Sequence, residues 1–266
     1  MRGFLVSLLA IFLLGGGILE AQQSMPPSKY YQWGLNNLTS GRPREYDKDA
    51  VNDFRFSADG GYAPAQVMLG YVYETGIAVS KDPATAMQWY KKSADQDNQL
   101  GEWLLGRLYF TGSGTARNLN EAANWFQKAA SHGDPYGRYL LGMVELERKD
   151  YAGAAESFRK SAMQGLPQAQ LQLGLMLKNG QGLAADSSEA YSWLLASSDA
   201  GNKDAANELA ALEAQLGPQA EAAKTKAREL EKSSSTALAD RGCTGWDGAF
   251  DAVPAPPPPL VQMACQ

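Results

Sequence analysis

The residue types best suited to catalysis are scarce in this 266-residue sequence, which holds one histidine, His132, and two cysteines, Cys243 and Cys265. A lone histidine cannot supply a two-histidine metal site, and the repeats described below contain no cysteine to help it. A Cys–His nucleophile pair would have to bring a C-terminal thiol onto His132. His132 therefore reads as a polar turn residue in Ser131-His132-Gly133-Asp134. The Gly-x-Gly pairs Gly112/Gly114 and Gly180/Gly182 lack the strand-before-helix setting of a dinucleotide site. The sequence has no Gly-x-Ser-x-Gly elbow and no phosphate-cradling glycine loop. Carboxylates such as Glu102, Glu145 and Glu147 are plentiful, but nothing in their spacing selects an acid–base pair. No catalytic residue, metal or cofactor is expected.

The formal net charge of -5 removes the electrostatic reason to expect nucleic acid, because phosphate recognition needs clustered Lys and Arg. The N-terminus is more directive. Met1-Arg2, the apolar run Phe4 to Leu14, the small residues that follow and polar Gln22-Gln23-Ser24 have the order of a signal peptide cleaved after Ala21. The alternative for residues 1–21 is an uncleaved anchor, since Gly3 to Leu19 gives 17 uncharged residues, the lower end of a membrane span. Either reading exports the chain, to the periplasm or beyond, or to the periplasmic face of an inner membrane. In an exported protein, Cys243 and Cys265 read as one disulfide. It would stabilise the tail by about 3 kcal/mol through loop closure.

The elements that would position any site come from a repeat. Leu69-Gly70 recurs as Leu105-Gly106, Leu141-Gly142 and Leu173-Gly174, with glycine spacings of 36, 36 and 32, and Gly34 lies 36 before Gly70. Phe54, Tyr90, Phe126, Phe158 and Leu194 keep the same phase, each with an alanine four residues earlier and small residues such as Ser57-Ala58 or Ser161-Ala162 three and four later. That is one stripe of a 3.6-period helix. Asp82, Asn118, Asp150 and Asp186 stand four residues before the alanines, where their side chains can cap the free N–H groups of a first turn. Each unit thus reads as helix A, a glycine turn and helix B. In the unit from Asp134 to Gly165 the step from glycine to cap is 8 residues instead of 12, so the turn is lost and both helices remain. The pairs Trp89-Tyr90 and Trp125-Phe126 read as core.

The motifs Ala-x-x-x-Leu-Gly, Gly-x-Gly, Asp-x-x-x-Ala and Trp-Tyr/Phe-x-x-Ser/Ala-Ala resemble Sel-one-like repeats, relatives of tetratricopeptide repeats. The expected fold is all-α, a right-handed α-solenoid of five helix-turn-helix repeats over 28–201. Polar capping helices follow over 202–232, and a Pro-rich tail with the cysteine pair over 233–266, where Pro254 to Pro259 reads as an extended spacer. Some secreted, cysteine-rich members of that family are associated with penicillin binding or weak hydrolysis. They carry paired cysteines within each repeat, which this sequence lacks, so the activity does not transfer. One sequon, Asn37-Leu38-Thr39, would fit a eukaryotic secretory protein, but the compact export signal favours a bacterial one.

The resemblance implies a concave face lined by helix A that holds a protein or peptide. Candidate contacts are the variable helix-A residues Tyr31, Tyr71, Trp103, Arg107 and Tyr139, together with Phe110 one turn beyond Arg107. The functional expectation is a non-enzymatic scaffold or adaptor in the bacterial envelope, with no nucleic acid or small-molecule cofactor as partner and a membrane only if the N-terminal segment persists. The competing expectations are a carboxylate-dependent envelope enzyme such as a cell-wall hydrolase, or a membrane-anchored assembly factor.

Overall fold

The computed structural model describes residues 26–39 and 47–225. The signal or anchor segment, the Pro-rich tail and the Cys243/Cys265 pair lie outside these residues. The regular structure of the described residues is helical, without a strand, in the order α1 (Pro27–Thr39), α2 (Asp47–Asp59), α3 (Ala63–Thr75), α4 (Pro83–Ala94), α5 (Gln99–Thr111), α6 (Leu119–Ser131), α7 (Pro135–Glu147), α8 (Tyr151–Ala162), α9 (Pro167–Asn179), α10 (Ser187–Asp199) and α11 (Lys203–Leu216). The odd helices up to α9 are the A helices of the five repeats and the even ones are the B helices. The chain forms two compact units, one ending at Ser93 and the other starting at Ala94. In the first, α1 packs on α2 and α2 on α3; in the second, each helix from α5 to α11 packs on the next. This is the all-α arrangement of stacked hairpins that the repeat implies.

The two strongest sequence columns meet each other. A Cβ placed on Gly34, Gly70, Gly106, Gly142 or Gly174 would lie 2.5–2.8 Å from Phe54, Tyr90, Phe126, Phe158 or Leu194 respectively. Those five side chains are at most 1% exposed. Helix A therefore gives up a side chain so that the large residue of helix B can lie flat against its backbone. The capping column also behaves as its chemistry requires: Asn118, Asp150 and Asp186 each accept from N–H groups of the first turn of their helix, and Asp82 accepts from Ala84 and Thr85.

A third column does more than its size suggested. Ser57, Ser93, Ser161 and Ser197 are buried, and their hydroxyls donate to the carbonyls of Pro27, Ala63, Pro135 and Pro167 at 2.6–3.0 Å. Each acceptor is the first residue of helix A in the same hairpin. The serine thus fixes the open end of the hairpin, while the glycine–aromatic contact fixes its middle. In α6 the equivalent residue is Ala129, which cannot make this bond.

The shortened unit keeps both helices, joined only by Arg148, Lys149 and Asp150, with Lys149 at φ 63°. Losing the glycine turn leaves the start of α8 open to the next repeat, and the turn after α9 settles against it. A Cβ on Gly182, whose φ is +78°, would fall 2.1 Å from the Tyr151 carbonyl oxygen. Beyond α10, the cap residue Asn202 opens α11, which buries only Ala205 and Leu212. A short 3-10 turn, Gly217–Gln219, then leads to helical residues 220–225, where the Ala223 carbonyl accepts from Ser192.

Gly182→Ala and Gly201→Ala separate strain from collision. Both positions have positive φ, but an added Cβ at Gly201 meets nothing within 4 Å. Urea unfolding should show a loss of about 1 kcal/mol for Gly201→Ala, the left-handed backbone cost alone. Gly182→Ala should lose clearly more, because a carbonyl has to move.

Candidate interaction surface

The structure divides the six expected contact residues. Tyr31, Tyr71 and Trp103 are only 5%, 8% and 4% exposed, so their expected exposure is corrected to burial. Tyr31 and Trp103, three residues before the repeat glycines Gly34 and Gly106, pack on rings of neighbouring helices, and Tyr71, one residue after Gly70, is buried as well. Tyr31 packs on Phe54 and Tyr62, with ring centroids 5.9 and 5.4 Å away. Trp103 meets the edge of Tyr136 at 5.6 Å. Burial pushes the Tyr31, Tyr71 and Tyr136 phenols up from the ordinary tyrosine range. Val67 and Leu171, from the same column, are also buried.

Arg107, Phe110 and Tyr139 are half-exposed. Tyr139 rests on Tyr136 and Phe158, with centroids 5.7 and 5.8 Å away. Phe110 lies against Phe126 and takes the Arg117 guanidinium 5.4 Å from its ring centre. Arg107 is close enough to Tyr136 to oppose part of the burial effect on that phenol. One residue after the glycine, Met143 on α7 and Leu175 on α9 share the helical position of Arg107 on α5 and are half-exposed as well. The second unit thus carries a row of Arg107, Met143 and Leu175 flanked by Phe110 and Tyr139.

The tryptophans of the paired aromatic columns also depart from the expectation. Tyr90 and Phe126 are core, but Trp89 and Trp125 are half-buried. The Lys92 ammonium sits 3.6 Å over the Trp89 ring, and that of Lys128 lies 5.5 Å from the Trp125 ring. One helical turn beyond each tryptophan, a lysine covers the ring where a core residue would otherwise be needed.

The electrostatic centre of the second unit was not singled out by spacing. Four residues before the repeat glycine stand Gln66, Glu102, Arg138 and Gln170. Three of them donate back to the end of the preceding B helix: Gln66 to the Ala58 carbonyl at 3.1 Å, Arg138 to that of Ala130 at 3.5 Å and Gln170 to that of Ala162 at 3.3 Å. Glu102 has no proton to donate when ionised. Lys128 takes over, donating to the Ala94 carbonyl at 3.2 Å and lying 3.2 Å from one Glu102 oxygen. His132 Nε2 lies 3.1 Å from the other. Glu102 is 0% exposed, so this carboxylate depends on its two nitrogen neighbours for compensation. Lys128 also reaches Asp97 at 2.8 Å, which holds the Asp97 carboxyl below its ordinary range and raises the ammonium. Asp97 occupies, at φ 57°, the place that Gly61, Gly133, Gly165 and Gly201 fill at φ 86–90°. The sequence signal for the cluster was an acceptor in a column of donors and an aspartate in a column of glycines. His132 is therefore more than a turn residue. Among the described residues no group of His, Cys, Asp and Glu is placed to hold a metal ion.

The short repeat carries a second exchange. Where Tyr73 and Tyr109 stand on other A helices it has Glu145, and where Trp89, Trp125 and Trp193 stand on other B helices it has Ser157. Ser157 donates to Glu145 at 2.6 Å. Burial raises the Glu145 carboxyl above its ordinary range, against the lowering effect of the Ser157 bond.

The Sel1 repeat family matches residues 63–98, 100–134 and 167–202. A Sel1 repeat protein from Oxalobacter formigenes is 30% identical, with TM-score 0.67, over 78% of this chain and 90% of its own. The chain belongs to the Sel1 repeat family. Sel1 repeats are a helical fold used chiefly for protein–protein contact. A protective antigen of uropathogenic Escherichia coli with an SLR fold is 26% identical, with TM-score 0.60, over 81% of this chain; the match spans 58% of that antigen. No curated protein matches. Among the described residues no helix is long and apolar enough to cross a membrane.

Two substitutions test the electrostatics. Lys128→Met should cost roughly 1–3 kcal/mol in urea unfolding, because a buried carboxylate loses one of two partners. In a Glu102→Gln background, which restores the amide of Gln66 and Gln170, the same change should cost less, the remainder coming from the lost Ala94 and Asp97 contacts. Additive losses would show that Glu102 does not depend on Lys128. For Glu145 the folded carboxyl binds its proton more tightly than the unfolded one, so its contribution is fully present under acid and fades as pH rises. Glu145→Gln should raise Tm relative to wild type at neutral pH, and the difference should vanish as the buffer is acidified.

Proposed function

We propose that this Sel1 repeat protein is a non-enzymatic scaffold of the bacterial envelope that binds a protein or peptide on the half-exposed row Arg107, Met143 and Leu175 of its A helices in the second unit. One observation carries the reading. The columns that build the hairpins are filled with buried glycine, aromatic and serine contacts, while Arg107, Met143 and Leu175 vary from repeat to repeat and stay half-exposed on that frame. Arginine, methionine and aromatic side chains are the types most enriched at protein interfaces. Glu102 lies against Lys128 and His132, and Glu145 accepts from Ser157. Export rests on the order of basic, apolar and small residues at the N-terminus.

Arg107→Glu/Met143→Ala should abolish capture of the partner from the envelope fraction while leaving Tm within a few degrees of wild type. Trp103→Ala is the informative contrast, since it should lower stability first and binding only in consequence. Full retention of every captured partner by the folded double variant would place the interface elsewhere. Intact mass of the exported protein should show removal of residues 1–21 and the loss of two hydrogens at the cysteine pair.

A further inference from the structure

We propose that the chain pairs with a second copy of itself through the outer face of its first hairpin, α1 of each copy lying antiparallel on α2 of the other. The residues of this face belong to the first unit and are distinct from the row of Arg107, Met143 and Leu175.

Four columns of the repeat look toward the preceding hairpin. Ala65, Gly101, Gly137 and Ala169, five residues before the repeat glycine, are buried, and a Cβ on Gly137 would lie 2.8 Å from the Ala130 backbone nitrogen in the helix before it. One residue later, Gln66, Arg138 and Gln170 donate to the end of the preceding B helix. Leu69, Leu105 and Leu173, next to the glycine, are at most 1% exposed. On the B helices, Lys128 reaches back to the Ala94 carbonyl. At these four places the first hairpin has Lys29, Tyr30, Trp33 and Phe56. Trp33 is 43% exposed and Phe56 65%. Tyr30 joins them, its ring centroid 5.7 Å from that of Trp33 and 5.6 Å from that of Phe56. Among the described residues α1 is the first helix, so three contiguous rings occupy a face that later repeats use for stacking.

The charges around the rings select the occupant. Exposed Lys29 stands where alanine or glycine allows the closest approach in other repeats, so the incoming helix must stand further off and bring negative charge. α2 is itself such a helix. Phe56 lies one turn before exposed Asp59 at its C-terminal end, where the helix dipole adds to the carboxylate. A two-fold axis along the hairpin sets Lys29 of each copy against Asp59 of the other, with the rings of Tyr30, Trp33 and Phe56 between them. The pairing repeats the relation of α3 to α2 within the chain, where Gln66 near the start of α3 bonds to Ala58 near the end of α2. Exposed Asp49 and Asp59 disfavour an anionic lipid surface at the same place. The C-terminal end of the second unit offers no match for a head-to-tail contact: α11 packs on α10, has no aromatic residue, and exposes Lys203, Asp204, Asn207 and Glu213. The contact therefore closes on itself as a two-fold dimer. Helices of 13 residues are about 20 Å long. Two of them side by side give a face of about 400 Å² per copy, below the standard interface, so the dimer is weak and depends on concentration.

Sedimentation equilibrium of the exported protein, its tail intact and reductant present, tests the pairing from micromolar to sub-millimolar concentration. The average mass should climb from one chain toward two and no further. Phe56→Glu should hold it at one chain while Tm stays within a few degrees of wild type, since this side chain is mostly exposed. The charge pair gives a second reading that does not depend on the rings. Lys29→Glu and Asp59→Lys should each weaken self-association by about tenfold or more, and an equimolar mixture of the two variants should regain the wild-type mass, because both cross-contacts are then of opposite sign. A chain that stays monomeric throughout overturns the proposal, as does growth beyond two chains. Association that survives Phe56→Glu places the interface elsewhere, and a mixture no heavier than its components overturns the placement of α1 on α2. If a monomeric chain instead binds lipid vesicles or a different protein through Phe56, the face belongs to that ligand and the dimer is refuted.

Discussion

The structure depends on the contact between a glycine in helix A and a large side chain in helix B. Five times over, the helix gives up a Cβ so that Phe54, Tyr90, Phe126, Phe158 or Leu194 can lie on its backbone. A glycine in a helix costs about 1 kcal/mol relative to alanine, and the dense apolar contact it permits is what offsets that cost. Because this contact sets how near the two helices come, it also sets where the serine hydroxyl meets the first carbonyl of helix A.

That dependence explains why the fold was legible in the sequence and the surface was not. Glycine, aromatic, serine and capping residues repeat because each hairpin must solve the same packing problem, so their spacing gave the helices and even the deletion between Gly142 and Asp150. A residue's facing is a subtler property. Trp103 and Tyr31 vary between repeats as surface residues do, yet they lie one turn before the glycine and on the inner side, where a ring is buried against Tyr136 or Phe54. Variation at these positions reflects a difference in what fills the core.

The exceptions to the columns concentrate in the third and fourth repeats. Asp97 replaces a glycine, Glu102 replaces an amide, Glu145 and Ser157 replace a tyrosine and a tryptophan, and the fourth turn is missing. None of these improves packing on its own. Glu102 needs Lys128 and His132, and Gly182 must come in against Tyr151 where the missing turn would have been. The same stretch carries Arg107, Phe110, Tyr139 and Met143. The departures from regularity thus lie around the half-exposed residues on which the proposed recognition rests.

The central claim is that the repeat glycines are there for the ring that lies on them, and one comparison tests it through the sign of an effect. Equilibrium urea unfolding of Gly106→Ala, alone and combined with Phe126→Val, is the measurement. The account gives a loss of about 1–3 kcal/mol for the single alanine through overpacking. It also gives a smaller additional effect of that alanine once the ring is gone. A Gly106→Ala protein that is more stable than wild type by about 1 kcal/mol, as helix propensity alone would give, would contradict it.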